Sequence, residues 1–471
     1  MIEEEKKEQR NITLALMLIL CVLFGFNYFG SDSLNQTVSV PLTPENVNEQ
    51  IETVLAYDSS KQKIVPAEEQ TDAEPVRISV KNNFVSGSFL ANGTQTDSLE
   101  LSEYRETTQD DSPDVSLLNN EFKTQLNWQG NLLPDMTKTP VVQGEELTPE
   151  TPVVLTWKKG DVIIERTVSL DNAYLLTYMD KIINNGSVPV SAELVGQVIR
   201  NESVIPQKMS SVHEGFLGLF DNKAVEEKYT EITDEDTEQV QTKGGWIGQT
   251  DKYWQAVFIP EQQANNQMTF EKKGEQYIAS FQNQISVPAG QSITQTTKLF
   301  ADAKELKLIK DYEEQGIPRF ELSIDFGWYY FLTKPFLYFL GFLYSLVGNM
   351  GIAILIFATL LRIAMLPIAQ KTYESMAKMK KIQPKVKVIQ ERFKDDRQRM
   401  QIELMNLYKR DKVNPASGCL PMLIQIPVFF ALYKVLSVSI LMRQAPFYGW
   451  IKDLSMPDPS SVFTAFGYPH N

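Results

Sequence analysis

The sequence predicts a multi-domain membrane protein: an α-helical transmembrane region joined to a large antiparallel β-sandwich. Three observations predict it. Apolar runs stand at the N-terminus and in the last third of the 471 residues, with a long polar stretch between them. The net charge of -14 divides unequally, since residues 31–333 carry 24 Lys/Arg against 47 Asp/Glu, whereas residues 370–416 carry 13 against 6. The polar stretch is built of short alternating runs punctuated by turn residues, the pattern of a sandwich rather than of helices.

The first apolar run, Ile12 to Phe29, is 18 residues without a charge, enough to cross ~30 Å of hydrocarbon at ~1.5 Å per residue. The segment after it, Asn27-Tyr28-Phe29-Gly30-Ser31, lacks the small-residue pattern of a cleavage site, so the run reads as an uncleaved anchor. Lys6, Lys7 and Arg10 precede the run and no Lys or Arg follows until Lys61, which puts residues 1–11 inside and the chain from residue 30 outside. Residues 30–74 are polar and read as a tether. A second span is expected over 347–369 and a third over 417–442, with the basic loop 370–416 inside and residues 443–471 outside. The segment 326–346 is rich in Trp, Tyr and Phe and is interrupted by Lys334 and Pro335. It reads as a short helix lying in the outer interface, where such side chains favour the headgroup level.

Residues 75–325 form the outer domain. Val76 to Lys81 alternates strictly, Leu175 to Ile183 is a strand candidate closed by the turn Asn184-Asn185-Gly186, and Val188 to Arg200 and Ile285 to Val287 repeat the pattern. Ala303 to Gln315 reads as a closing helix with Leu306, Ile309 and Tyr312 on one face, ended by Gly316 and Pro318. The whole chain has two cysteines, Cys21 and Cys419, and two histidines, His213 and His470. That leaves no disulfide framework, no metal centre and no cofactor site to expect. Excess acid in the domain argues against nucleic acid as a partner. No carboxylate pair stands out among so many, so the domain reads as a binding or scaffolding module and not as an enzyme.

In the loop, Met376, Met379, Val386, Ile389, Phe393, Met400, Leu404 and Leu407 recur at helical spacing. Pro384 and Lys394-Asp395-Asp396 divide it, giving a two-helix hairpin whose Lys378, Lys380, Lys381 and Lys385 face acidic lipid headgroups, the ribosome or an acidic client. Arg362 lies inside the second apolar run, roughly 12 Å from its end by helical rise. A central Arg costs about 2.5–3.5 kcal/mol on insertion scales, so it is expected to face water or a counter-charge. Gln425 and Lys434 are polar side chains within the third run, and Pro421 and Pro427 are expected to kink it. Neither later run contains a carboxylate to pair with Arg362.

A set of segments resembles the YidC-type membrane protein insertases. In family order they are Leu361-Arg-Ile-Ala-Met-Leu-Pro367, Gln370-Lys-Thr-Tyr-Glu-Ser-Met-Ala-Lys-Met379, Gln383-Pro-Lys385, Asn414-Pro-Ala-Ser-Gly-Cys-Leu-Pro421 with Gln425-Ile-Pro427, Arg443-Gln-Ala-Pro-Phe447 and Trp450-Ile-Lys-Asp-Leu-Ser455. Upstream, Lys243-Gly-Gly-Trp246 and Phe326-Gly-Trp328 resemble the Gram-negative branch, whose periplasmic domain is a large β-sandwich. The resemblance implies an inner-membrane insertase and chaperone that receives nascent membrane proteins, alone or with the Sec translocon and its accessory subunits, and moves them into lipid without nucleotide hydrolysis. It assigns the client-binding groove to Arg362, Tyr373, Thr359 and Gln425. Leu366 stands where the family often has Tyr, and Leu441 where it usually has Glu. The family continues through three further spans that complete the groove; the 471 residues stop before them, as a fragment or a truncated gene product would, so half the groove wall is not among them. The alternative reading is a membrane-anchored periplasmic binding or assembly scaffold without insertase activity.

Overall fold

The computed structural model describes residues 76–205, 212–233, 237–411, 420–449 and 451–456. The expected first span 12–29, its flank 1–11 and the tether 30–74 lie outside the described residues. The described chain falls into two compact units, one within residues 76–325 and one holding Phe326–Ser437.

The first unit is a sandwich of two sheets. One has ten strands among the described residues, in the spatial order Thr237–Lys243, Asn265–Lys273, Gln276–Val287, Val190–Asn201, Phe122–Gln129, Gln95–Arg105, Val85–Leu90, Arg77–Lys81 and Glu146–Leu147, with Asp114–Leu118 paired to Gln95–Arg105. The other has nine: Lys223–Lys228, Gly215–Phe220, Trp246–Thr250, Trp254–Ile259, Ser292–Ala303, Leu175–Asn184, Val162–Leu170, Val153–Lys159 and Val141–Gln143. Pairing is antiparallel except for Arg77–Lys81 with Glu146–Leu147. The alternation read from Val76 to Lys81 appears as a strand burying Ile78 and Val80. Rings from the two sheets meet in the core, Phe258 with Phe281 at 5.8 Å and Phe216 with Phe270 at 5.0 Å.

The Asn184-Asn185-Gly186 turn is present but does not make a hairpin. Leu175–Asn184 pairs with Val162–Leu170 and Ser292–Ala303, whereas Val190–Asn201 belongs to the other sheet. Asn184 secures this crossing: its Nδ2 donates to Val188 O at 2.8 Å and Val287 O at 3.1 Å, and its Oδ1 accepts from Gly186 N at 3.0 Å. A side-chain amide that bonds four backbone groups, Pro288 O at 3.2 Å being the fourth, fixes the corner as a two-residue hairpin turn would not.

The closing helix α1 is Leu306–Glu314, shorter at its start than expected. Ala303 pairs with Trp254 as the last residue of its strand, and Glu305 is the extended N-cap. Its buried residues are Ile309 and Tyr312, and Gly316 (φ 104°) follows its end. The Lys243-to-Trp246 motif folds through Gly244 and Gly245, both at positive φ. A side chain at 245 would meet Leu219 O at 2.1 Å, so glycine is required there. Trp246 is fully buried, and its Nε1 donates to Pro318 O at 2.9 Å.

The second unit is helical: α2 Tyr330–Val347, α3 Met350–Arg392, α4 Arg397–Arg410 and α5 Leu420–Val438. By length and composition α2 and α3 are long and apolar enough to cross a membrane, and Leu423–Val438 is a shorter apolar helix. The aromatic segment is one 18-residue helix running through Lys334 and Pro335. One expectation changes here. The second apolar run and the first arm of the loop are one 43-residue helix, continuous through Pro367 and Pro384. The break comes at Phe393–Asp396, where Asp396 caps α4 by accepting from Arg399 N at 3.0 Å. Both sides of Pro384 are exposed. Water can satisfy the carbonyl that proline leaves without a donor, so that helix interruption is tolerated.

Candidate functional site

The site is assembled on α3. Asn349 starts the helix, its Oδ1 accepting from Ile352 N at 3.1 Å and its Nδ2 donating to Pro446 O at 3.3 Å. α2 packs against the first turns through Phe336 and Phe339, whose rings lie 5.1 and 5.7 Å from that of Phe357. The loop after α5 packs there too, with Phe447 against Gly351. Asp453 holds that loop closed: its Oδ1 accepts from Gln444 N at 3.0 Å and from Ser455 N and Oγ at 2.7 Å each. The Arg443-to-Phe447 and Ile451-to-Ser455 segments therefore carry a structural function that the sequence did not reveal.

One face of α3 remains open. Thr359, Arg362, Leu366 and Tyr373 are all exposed, and at 100° per residue they fall within about 60° of one another around the helix. Ile363 and Leu355 flank them, also exposed. Tyr373, 71% exposed, stands about 16 Å along the axis from Arg362. Among the described residues Arg362 has no hydrogen bond or ion pair. Thr359 Oγ1 donates to Leu355 O at 2.7 Å within its own helix. Gln425 lies on α5 at intermediate exposure, and no hydrogen bond among the described residues joins it to the α3 face. What the α3 face offers chemically is a guanidinium with all five donors available, set among apolar side chains and followed by a phenol. Among the described residues no cluster of His, Cys, Asp and Glu has the arrangement of a metal site.

The hairpin of α3 and α4 sorts the four lysines into two kinds. Lys378, Lys380 and Lys381 are exposed. Lys385 Nζ donates to Asp411 Oδ2 at 2.9 Å, and Arg410 approaches the same carboxylate. The bond from Lys385 holds the Asp411 carboxyl below the usual range. Lys385 thus fastens the end of α4 to α3. Ile382 and Leu407 are the buried apolar residues of the hairpin among the described residues; Met379, Val386, Ile389, Phe393, Met400 and Leu404 are partly covered, and Met376 is exposed.

Elsewhere in the helical unit, Gly327 (φ 69°) brings the backbone against the Lys434 stem. Trp328 beside it is 94% exposed, and Tyr329 stacks on Phe430 at 6.3 Å.

Residues 77–339 match the family described as YidC periplasmic domain, and residues 342–467 match the 60Kd inner membrane protein family. A curated relative from Agrobacterium fabrum, named membrane protein insertase YidC, is 40% identical over 418 residues, covering 85% of this chain and 70% of the relative. A relative of the same name from Beijerinckia indica is 38% identical, covering 98% and 82%, and one from Rickettsia bellii is 36% identical, covering 98% and 85%. Among solved structures the chain is similar to an active YidC insertase with its first transmembrane domain resolved, at 17% identity and a TM-score of 0.27, covering 87% of this chain and 83% of that one.

Proposed function

The chain belongs to the YidC family of membrane protein insertases, and from that premise we propose that it receives nascent membrane proteins on the Arg362 face of α3 and releases them sideways into the inner membrane, alone or with the Sec translocon, without nucleotide hydrolysis. The observation that supports this most is the open face itself. A guanidinium within an apolar helix, with no partner among the described residues, is costly in hydrocarbon and is stabilised by water or by an acidic group on a passing client. Leu355, Ile363 and Leu366 offer the same client an apolar path beside the charge. Binding of this kind is transient: the pair forms where water is present and is lost as the client moves into lipid, so no covalent chemistry is needed.

The proposed topology follows the Lys/Arg asymmetry. The N-terminus is inside, the sandwich outside, and the α3–α4 hairpin inside, where Lys378, Lys380 and Lys381 meet anionic headgroups or the ribosome. In this topology α2 lies in the outer interface. A crossing by α2 would reverse α3 and place the basic hairpin outside, against its charge. Trp328, Tyr329 and Tyr330 at the start of α2 are the side chains expected at headgroup level.

Site-specific photocrosslinking from positions 362 and 373 to a stalled nascent membrane protein tests the proposal. Crosslinks at both positions are expected, and none from exposed Lys378, which lies about 160° around α3 from Arg362. Crosslinks confined to the sandwich would favour the scaffold reading.

A further inference from the structure

Asp302 is a fully buried carboxyl without a partner. It is the penultimate residue of strand Ser292–Ala303 and stands directly opposite Gln255 in the neighbouring strand. Neither of its oxygens has a hydrogen-bond donor among the described residues, and neither does Gln255 Oε1. The Ala303 amide lies near the carboxyl without the geometry of a hydrogen bond. The other end of Gln255 is occupied, Nε2 donating to Ser323 Oγ at 3.2 Å.

The surroundings withhold both donors and cations. Glu305 at the N-cap of α1, Glu103 from strand Gln95–Arg105 and Asp171 ahead of strand Leu175–Asn184 all face Asp302 and oppose a negative charge there. The three phenols of the cluster are already used: Tyr104 donates to Glu305, Tyr174 to Glu103 at 3.4 Å, and Tyr312 to Asp171 at 2.6 Å. Lys298, on the same strand, acts on Asp171 and Glu261, and Lys304 Nζ donates to Asp251 O at 2.5 Å. Two acceptor groups therefore face each other across a dry strand pair, where residues directly opposite have their Cβ atoms about 5 Å apart. An unpaired buried acceptor is costly, and a proton on the carboxyl turns one of the two into a donor.

We propose that Asp302 holds a proton in the folded protein, that its O–H donates to Gln255 Oε1, and that this buried proton is a latch fastening α1 and the turn Phe320–Ser323 to the sheet. Those two elements cover this face. Tyr312 of α1 lies edge-on to Phe300, two residues before Asp302, with ring centroids 5.6 Å apart, and Phe320 meets the same ring at 5.1 Å. To ionise, Asp302 must be reached by water, so the cover must lift. Burial first, and then Glu305, holds the carboxyl well above the usual range. The sign follows: the folded state binds this proton more tightly than the unfolded state, so the stabilisation is complete below the ordinary aspartate value and is lost as pH rises through the folded value.

Hydrogen exchange of the α1 amides in the full-length chain in detergent tests the latch, with rates corrected for the intrinsic pH dependence. Asp302→Asn keeps a donor toward Gln255 and cannot ionise. The protection of α1 in Asp302→Asn relative to wild type is expected to rise by about tenfold per pH unit, the slope of one proton, as pH climbs above the ordinary aspartate value. A ratio independent of pH, or one that falls, overturns the proposal. Gln255→Leu removes the acceptor and is expected to move the release to lower pH; an unchanged release pH overturns the shared proton. Infrared spectroscopy of the wild-type protein needs no variant. A protonated carboxyl band present at neutral pH and lost on alkaline release supports the latch, and its absence at neutral pH overturns it.

Discussion

Phe447 occupies the space that a side chain at Gly351 would need: a Cβ at position 351 would lie 2.1 Å from Phe447 Cδ2. Gly351 is the second residue of α3, and its backbone is ordinary helix. Its requirement for glycine is steric rather than conformational, and it allows the loop carrying Asp453 to close over the start of the helix that bears Arg362. Gly351→Ala is therefore expected to destabilise the helical unit by about 1–3 kcal/mol, the range of overpacking. The check is thermal unfolding in detergent. The double variant Gly351→Ala with Phe447→Ala should recover part of the loss relative to Phe447→Ala alone, because the two residues share one space.

Arg362 yields a functional prediction. Arg362→Ala removes the charge-assisted contact to an acidic client segment, worth roughly 1.5–3 kcal/mol, or about a tenfold to hundredfold effect. Insertion of clients with acidic translocated tails is expected to fall by about that factor in reconstituted vesicles, and insertion of clients with uncharged tails much less. Arg362→Lys keeps the charge but not the fork, so it should retain an intermediate rate. Equal loss for both client types would assign Arg362 to packing instead.

In the sandwich, Arg166 and Asp180 face each other across neighbouring strands and are fully buried. Arg166 Nε and Nη2 donate to the two oxygens of Asp180 at 2.7 Å each, and Nη1 donates to Gly93 O and Leu126 O, also at 2.7 Å. Trp128 Nε1 donates to Asp180 Oδ2 at 2.8 Å. One guanidinium thus spans both sheets, since Leu126 and Trp128 belong to the sheet opposite Arg166. Removing one partner leaves a buried charge uncompensated. Asp180→Ala is expected to cost about 3–5 kcal/mol, measured by denaturant unfolding. The paired change Arg166→Met with Asp180→Leu should cost less than either single truncation, as hydrophobic replacement of buried pairs commonly does.

The elements that were legible in the sequence are those specified locally. Strand Leu175–Asn184, the apolar face of α1 at Ile309 and Tyr312, and the open Arg362 helix follow from spacing over a few residues. What was not legible depends on neighbours distant in the chain. Asn184-Asn185-Gly186 announces a turn, but the partner strands of Leu175–Asn184 and Val190–Asn201 decide that it crosses between sheets. Arg166 and Asp180 were two charges among many until strand register placed them opposite one another, and Gly93 and Leu126 come from 73 and 40 residues earlier in the chain. Pro384 signals a break by local rule, yet Gln383, Pro384 and Lys385 are exposed, so water can satisfy the carbonyl left without a donor and the helix continues. At the candidate site, the exposure of Arg362 and Tyr373 on α3, the bonding of Thr359 to its own helix and that of Lys385 to Asp411 all required the fold.

Lys304 makes a pH prediction opposite in sign to that of Asp302. Its side chain is 4% exposed, and burial, only partly offset by Asp251, lowers its pKa from 10.5 to about 8. Below about pH 8 the ammonium is charged in both folded and unfolded states, and the folded state bears the desolvation cost. Between about 8 and 10.5 the folded state gives up its proton first, so the unfolded state binds more protons and stability rises with pH. The gap of about 2.5 units corresponds to roughly 3 kcal/mol. Lys304→Met keeps the stem and cannot titrate. The stability of wild type relative to Lys304→Met should climb across that window and level off above it, read by denaturant unfolding of the full chain at a series of pH values. Because the Asp302 contribution is present in both proteins, it cancels in the difference. A flat difference would mean that Lys304 reaches solvent and that its bond to Asp251 O is not maintained in solution.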